Sequence, residues 1–343
     1  MGAMTILPNL LRENRFTPEL VPPFERKLFF EHGRRRLYLE RFGVLLFLSA
    51  VIATMGILSD STAAVIGAMI IAPLMTPIMA AAAAIVTGRM DRAARSLALV
   101  VAGALGVVAL SWALATLYSG ELSFDGNSQI TGRIQPRIAD LAAALASGAA
   151  GAFCMSRDDI ADSLPGVAIA ISLVPPLCVV GIALSAGEAE AAQGALLLFV
   201  TNMLAILLAG GGLLAALGLS AAATVKLRGR ARRNAFVVIA AAVVLVAVPL
   251  AATSVALDGE ARARSQAREE AEQWLAGTDF ALHAVQVRGD SIKITINGPD
   301  EPPPLPALAI ALEGRIGHPV AVELVTVRSQ SQRVPGAGTE GPG

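Results

Sequence analysis

Long apolar runs fill the middle of this chain, a charged lead precedes them, and short alternating stretches follow. A helix needs about 20 mostly apolar residues to cross a hydrocarbon core about 30 Å thick. Seven segments approach that length, at residues 42–58, 63–86, 97–118, 138–155, 166–185, 194–218 and 235–257. The fourth is the least apolar, being rich in Ala and Gly with Asp140 near one end. Residues 1–41 mix Phe24, Leu28, Phe29 and Leu37 with Arg26, Lys27, Arg34, Arg35 and Arg36. That mixture suits either an amphipathic helix on an anionic leaflet or a plain topology anchor.

After residue 257 the period changes. Residues 258–276 read as a charged helix, and residues 281–288 as a strand that Gly289-Asp290 turns into the next one. Ile292, Ile294 and Ile296 alternate with Lys293, Thr295 and Asn297, as on a half-buried strand. Leu305, Leu308, Leu312 and Ile316 share a helical face, and residues 320–327 complete an α-β-β-α-β order. The expected fold is thus an all-α polytopic membrane domain at 42–257 with a small α/β domain at 258–328. The Gly-, Pro- and Ser-rich tail at 329–343 is expected to be disordered.

Composition agrees with the membrane reading: 55% of residues are apolar and 16% charged, against roughly 25% charged in soluble domains. The net charge of zero hides a strong asymmetry. If all seven segments cross, 17 Lys and Arg fall on one side: 8 before the first span, 3 at Arg89, Arg92 and Arg95, Arg157, and 5 within 226–233. The opposite loops of the membrane domain hold only Arg133 and Arg137. Basic loops stay cytoplasmic, so the N-terminus is expected inside and the C-terminal domain outside.

Two of the first six segments carry interior prolines. Ala72-Pro73-Leu74-Met75-Thr76-Pro77 breaks the second, and Ser172-Leu173-Val174-Pro175-Pro176-Leu177 breaks the fifth. Each proline removes an amide donor, which at membrane depth requires burial in protein or a wet cavity. Aligning Pro73-Leu74 with Pro176-Leu177 brings Ser59-Asp60 opposite Asp162-Ser163. Residues 42–118 and 138–218 therefore read as two three-span repeats. Because three is odd, the second is inverted, and matching broken helices then point to a substrate or ion site near the midplane. The candidate site residues are Pro73, Thr76, Pro77, Ser172, Pro175, Pro176 and Asn202, with Asp60 and Asp162 as entrance or gate. Asn202 admits a second reading as an interhelical hydrogen bond, and the aspartates a second reading as helix N-terminal charges.

Enzymatic chemistry lacks its usual groups. His32, His283 and His318 all lie outside the spans, no nucleotide loop or His-Glu-x-x-His helix occurs, and Cys154 and Cys178 form neither a zinc set nor a disulfide framework. No cofactor, metal or nucleic-acid partner is expected. Small residues at Gly103 and Gly106, Ala144 and Gly148, and 210–212 permit close helix approach and suit a homo-oligomer.

The segments Ile66-Gly67-Ala68-Met69-Ile70-Ile71-Ala72-Pro73-Leu74-Met75, Leu164-Pro165-Gly166-Val167-Ala168-Ile169-Ala170, Val174-Pro175-Pro176-Leu177 and Thr201-Asn202 resemble the prokaryotic uncharacterised hydrophobic domain family, a domain of unknown function, over roughly residues 40 to 220. The resemblance implies a polytopic protein of the prokaryotic cell membrane and supplies no substrate. Asp60-Ser61 stands where such proteins commonly look like Asn-Ser. Function is expected to be a channel or secondary transporter for a small ion or solute. The alternative is a non-transporting oligomeric scaffold or envelope-stress component whose C-terminal domain binds a partner or lipid. Topology gives the first prediction: a phosphatase reporter fused after Arg328 is active only if that end is extracytoplasmic, and activity of a cytoplasmic reporter there contradicts the expectation.

Overall fold

The computed structural model describes residues 13–29, 35–118, 120, 124, 126–157, 159, 173–223, 229–278, 280–288, 291–298, 302–316 and 319–327. Asp162 and Ser172, the 164–170 motif, the 289–290 turn, His32, His318 and the 329–343 tail lie outside them. The chain divides into two units, residues 1–251 and 252–343.

In the first unit α1 (Val21–Leu28) opens with Pro22 and Pro23 and buries Val21, Phe24 and Leu28. Prolines suit a first turn, where no amide partner is needed. The lead is not one long amphipathic helix. The apolar face of α1 packs on protein, near α4, and Glu25 accepts from Arg89 at 2.7 Å and Arg92 at 3.2 Å. Helix α2 (Arg35–Leu58) starts seven residues before the expected span, because its first turns are charged and escape a hydropathy reading.

A tight turn leads to α3 (Thr62–Ile71), whose first turn is capped by the Ser61 hydroxyl, which accepts from the Ala64 amide. After a break at Ala72–Leu74 comes α4 (Met75–Val86), bent 47° from α3. Then follow α5 (Met90–Leu117), α6 (Ser128–Ile134), α7 (Ile138–Met155), α8 (Val174–Ala186), α9 (Ala189–Ala216) and the single turn α10 (Leu219–Ala222). Helix α11 (Gly229–Trp274) begins in this unit and contains the expected 235–257 segment. Among the described residues, α2, α5, α7 and α9 are long and apolar enough to cross a membrane, and the α3–α4 pair makes a fifth candidate. The Ala- and Gly-rich α7 is thus one of the membrane-length helices. Of the expected fifth segment only α8, 13 residues long, is described in full.

Two short helices form the centre. Every residue of α4 from Pro77 to Val86 is buried, as is every residue of α8 from Val174 to Ala183. Helix α4 packs on α5 and α9; α8 packs on α5, α9 and α2. Helices pack in lipid through close contact rather than a hydrophobic drive, and two glycines mark such approaches. A Cβ on Gly148 of α7 would lie 2.7 Å from the Ile206 Cα of α9, and one on Gly181 of α8 would lie 2.5 Å from the Val108 carbonyl oxygen of α5. Buried hydroxyls add polar ties: Thr54 of α2 and Ser111 of α5 are 2.8 Å apart.

The second unit contains the end of α11, β1 (Ala281–Arg288), β2 (Ser291–Asn297), α12 (Leu305–Ile316) and β3 (Ala321–Val327). The sheet order is β1-β2-β3; β2 pairs antiparallel with β1 and parallel with β3. Its core is Ile292, Ile294 and Ile296 against Leu308 and Leu312 of α12 and Ala267, Ala271 and Leu275, all buried. Full burial of one such Ile or Leu side chain from water is worth about 1.5–3 kcal/mol. Arg315 ties α12 to Glu269 and Glu270 of α11, at 2.9 Å for the latter.

The α7–α9 contact yields a prediction. Gly148→Ala forces the two backbones apart and is expected to cost about 1–3 kcal/mol, seen as a lower unfolding midpoint in detergent. Gly212→Ala, whose added Cβ meets nothing within 4 Å, leaves the midpoint unchanged or slightly raised.

Candidate functional site

The first proline break is hydrogen-bonded on the protein side. The Ala68 carbonyl, near the end of α3, accepts from the Ala72 amide at 3.1 Å and from the buried Ser49 hydroxyl of α2 at 2.8 Å. Pro73 lies in the break and Thr76 in the first turn of α4, both half-buried. Pro77 is the third residue of α4, where its missing N–H has no partner to lose. Pro175 and Pro176 occupy the same early positions in α8 and are buried. The prolines therefore start helices rather than interrupt their interiors.

Asp60 has a specific task. It sits in the turn between α2 and α3 with a φ of 50°, a left-handed conformation that Asp and Asn tolerate better than other side chains. One carboxylate oxygen accepts from the Ser128 hydroxyl at 2.7 Å and from the Gln129 amide at 3.1 Å. These bonds, the Ser128 hydroxyl foremost, hold its pKa below the ordinary value. The Asn127 side chain caps α6 by accepting from the Gln129 and Ile130 amides, and donates to the Ile57 carbonyl at 2.6 Å. The Gln129 side-chain amide donates to the Thr62 hydroxyl at 2.8 Å. The turn between α2 and α3 is thus clamped to the start of α6. An Asn at position 60 would suit the backbone equally and keep an acceptor, so the Asp is a conservative departure from the Asn-Ser pattern.

The clamp fixes Gln129, and Gln129 fixes Arg133. One guanidinium nitrogen of Arg133 donates to the Gln129 carbonyl at 2.5 Å and to its side-chain oxygen at 3.2 Å. The Nε of Arg133 is buried and has no acceptor among the described residues. Burial lowers the pKa of this guanidinium. Arg133 lines a cavity of about 190 Å³ together with Gly132 of α6, Asp140, Ala143 and Ala144 of α7, and Leu198 and Asn202 of α9. Asp140 faces the same cavity, yet one of its oxygens accepts from the Arg137 amide at 2.8 Å and so caps α7. No ion pair links Asp140 to Arg133 among the described residues.

The residues expected to share one site are therefore distributed. Asn202 lines this polar cavity, while Pro77 lines a separate one of about 320 Å³ between α1, α2 and α5. Pro175 and Pro176 lie in the packed core. Arg133 and Gln129 were legible only as loop residues: α6 has seven residues and no apolar period, and its one local signal is Asn127-Ser128, an N-cap pattern.

Residues 69–208 match the family described as a domain of unknown function (DUF389). That stretch runs from α3 to α9 and contains both proline-led helices and the Arg133 cavity. An uncharacterized protein of the archaeon Methanocaldococcus jannaschii is 37% identical over 177 residues, covering 52% of this chain and 54% of that protein. The chain thus spans about half the length of the curated relative it matches. No solved structure matches. The matched stretch includes apolar helices of membrane-spanning length.

The clamp has a pH dependence of definite sign. A carboxyl whose folded pKa is lowered adds stability above its ordinary value, 3.8 for this residue, and loses it as pH falls through the folded value. The unfolding midpoint in detergent is expected to fall more steeply between about pH 5 and about pH 3 in the native chain than in Asp60→Asn. Equal slopes would remove Asp60 from the clamp.

Proposed function

We propose that the membrane domain is a channel or secondary transporter for a small ion or solute in the prokaryotic cell membrane. The observation that carries this reading is the half-buried guanidinium of Arg133, whose buried Nε lacks an acceptor among the described residues, on a polar cavity shared with Asp140 and Asn202. A buried donor of a charged group left without an acceptor is costly, and such a group on a polar cavity marks a candidate site. At about 190 Å³ the cavity is smaller than the roughly 300–1,000 Å³ of drug-sized sites, so the solute is small. Its recognised feature is an acceptor group, such as a carboxylate or an inorganic anion, that completes the bonding of Arg133.

The seven-span topology and the 3+3 inverted repeat belong to the same proposal. Their support is the matching of two proline-led, fully buried helices, α4 and α8, each packed on the third helix of its own half and of the other half. The basic bias adds the orientation, with the N-terminus cytoplasmic and the C-terminal domain extracytoplasmic. A homo-oligomer fits the apolar side chains left exposed on α5, such as Leu105 and Leu117.

The test is flux in proteoliposomes across a panel of small anions, cations and zwitterions. Arg133→Gln removes a charged hydrogen-bonding group worth roughly 1.5–3 kcal/mol, so transport of the preferred solute is expected to fall about ten- to a hundredfold, with the unfolding midpoint as a check on folding. Absence of flux in the native protein across the whole panel would sink the reading and leave the scaffold role, to be pursued through the C-terminal domain.

A further inference from the structure

A second cavity lies at the opposite type of environment, where α2 and α5 begin. It measures about 320 Å³, and its lining includes Arg35, Tyr38, Arg92 and Arg95 on one side and Pro77 and Leu99 on the other. Among the described residues no acidic side chain lines it. Arg92 is held in place by Glu25 at 3.2 Å and by the Phe29 ring, 4.9 Å from its guanidinium carbon. Arg95 pairs with Asp91 one helical turn back. Arg35 is exposed at the first residue of α2. Such a mixture of Tyr and Arg at the ends of apolar helices is that of a membrane–water interface.

Leu99 also lines a furrow of about 360 Å³ between α2 and α5, whose walls include Phe42, Leu46, Phe47 and Leu110 and whose floor is Gly103 and Gly106. Every described residue on this furrow is apolar or Gly. From Leu99 to Leu110 α5 advances about 16 Å, at about 1.5 Å per residue. That is close to half of a hydrocarbon core about 30 Å thick, the depth of one leaflet. A cationic mouth thus continues into an apolar furrow one acyl chain deep.

We propose that this cavity and furrow form a binding site for one anionic phospholipid, its phosphate on Arg35, Arg92 and Arg95 and one acyl chain between α2 and α5. The charge pattern selects the occupant. A second copy of the chain would bring an apolar helix to the furrow but no anion to the three arginines, whereas a lipid brings both. Basic pockets at helix ends bind anionic headgroups by the same charge complementarity. The proposal is independent of the Arg133 cavity, so either can fail alone.

The experiment uses the full chain, delipidated in detergent, with native mass spectrometry and thermal unfolding as readouts. Phosphatidylglycerol is expected to remain bound and raise the midpoint, and phosphatidylcholine at the same concentration to do so at least tenfold less effectively. Glycerol 3-phosphate, a headgroup without a tail, is expected to have no effect. The double variant Arg35→Ala/Arg95→Ala removes two surface charges and is expected to lose phosphatidylglycerol retention. Gly106→Leu, whose Cβ meets nothing within 4 Å, fills the furrow and is expected to lose it with the arginines intact. Arg268→Ala serves as the unaffected control. Equal retention of the two lipids, full competition by glycerol 3-phosphate, or unchanged binding in both variants overturns the proposal. So does a disulfide-linked dimer through Gly106→Cys whose yield ignores added phosphatidylglycerol.

Discussion

Hydrocarbon offers no hydrogen bonds, and proline has no amide hydrogen to give; together these two facts decide where this chain can bend. The bend between α3 and α4 occurs where Pro73 leaves the ladder, and the Ser49 hydroxyl joins the Ala72 amide on the Ala68 carbonyl. Pro77, Pro175 and Pro176 instead stand in first turns, where helices have amides to spare. This placement produces two short helices that are apolar on every side and must therefore be enclosed. The longer helices α2, α5 and α9 supply the enclosure, and α7 packs on α9. The break and the buried centre are one consequence of the proline positions.

Enclosure in lipid depends on contact distance. Ala fills the middle of α4 from residue 80 to 84, and Gly148 and Gly181 stand where neighbouring backbones come within the reach of a Cβ. Larger side chains at those points would trade contact for strain. Some hydroxyls inside the bundle bond within their own helix: Thr54 donates to the Ala50 carbonyl at 2.7 Å, and Thr201 to the Leu197 carbonyl at 2.7 Å. Polar capacity is thereby concentrated around α6, at the clamp and the cavity next to it.

Much of the architecture was legible because it is written in long periods. Hydropathy marks a span by averaging over about 19 residues, which suffices for α2, α5, α7 and α9, and strict alternation marks β2. The same averaging hides features shorter than its window. Helix α6 is seven residues long, so Arg133 entered the sequence reading only as an outer-loop charge, although its Nε is buried. The charged first turns of α2 hid its true start, and the lead's apolar residues read as lipid-facing although Phe24 and Leu28 pack inside the protein. Asn202 was singled out correctly as a buried polar residue, but its neighbours on the cavity, Arg133 and Asp140, come from segments whose proximity only the fold creates. Asp60 drew attention as a charge at a boundary. Its partners, Ser128 and Gln129, lie 68 and 69 residues away, a separation no local pattern encodes.

The position of Arg133 follows from a chain of bonds that starts at Asp60. The left-handed turn at Asp60 aims its carboxylate at the start of α6; that carboxylate and the Thr62 hydroxyl hold Gln129; Gln129 then presents two oxygens to one nitrogen of Arg133. Each oxygen offsets part of the cost of burying a guanidinium, yet both serve the same end of it. The Nε end remains the place where the fold supplies desolvation without an acceptor. A purely structural arginine would gain from pairing with Asp140, which lines the same cavity, but Asp140 is committed to the start of its own helix. The arrangement therefore spends stability to keep a positive group fixed and incompletely bonded beside a small polar space. On the proposed reading, a solute that brings its own acceptor recovers that loss on binding and forfeits it on leaving.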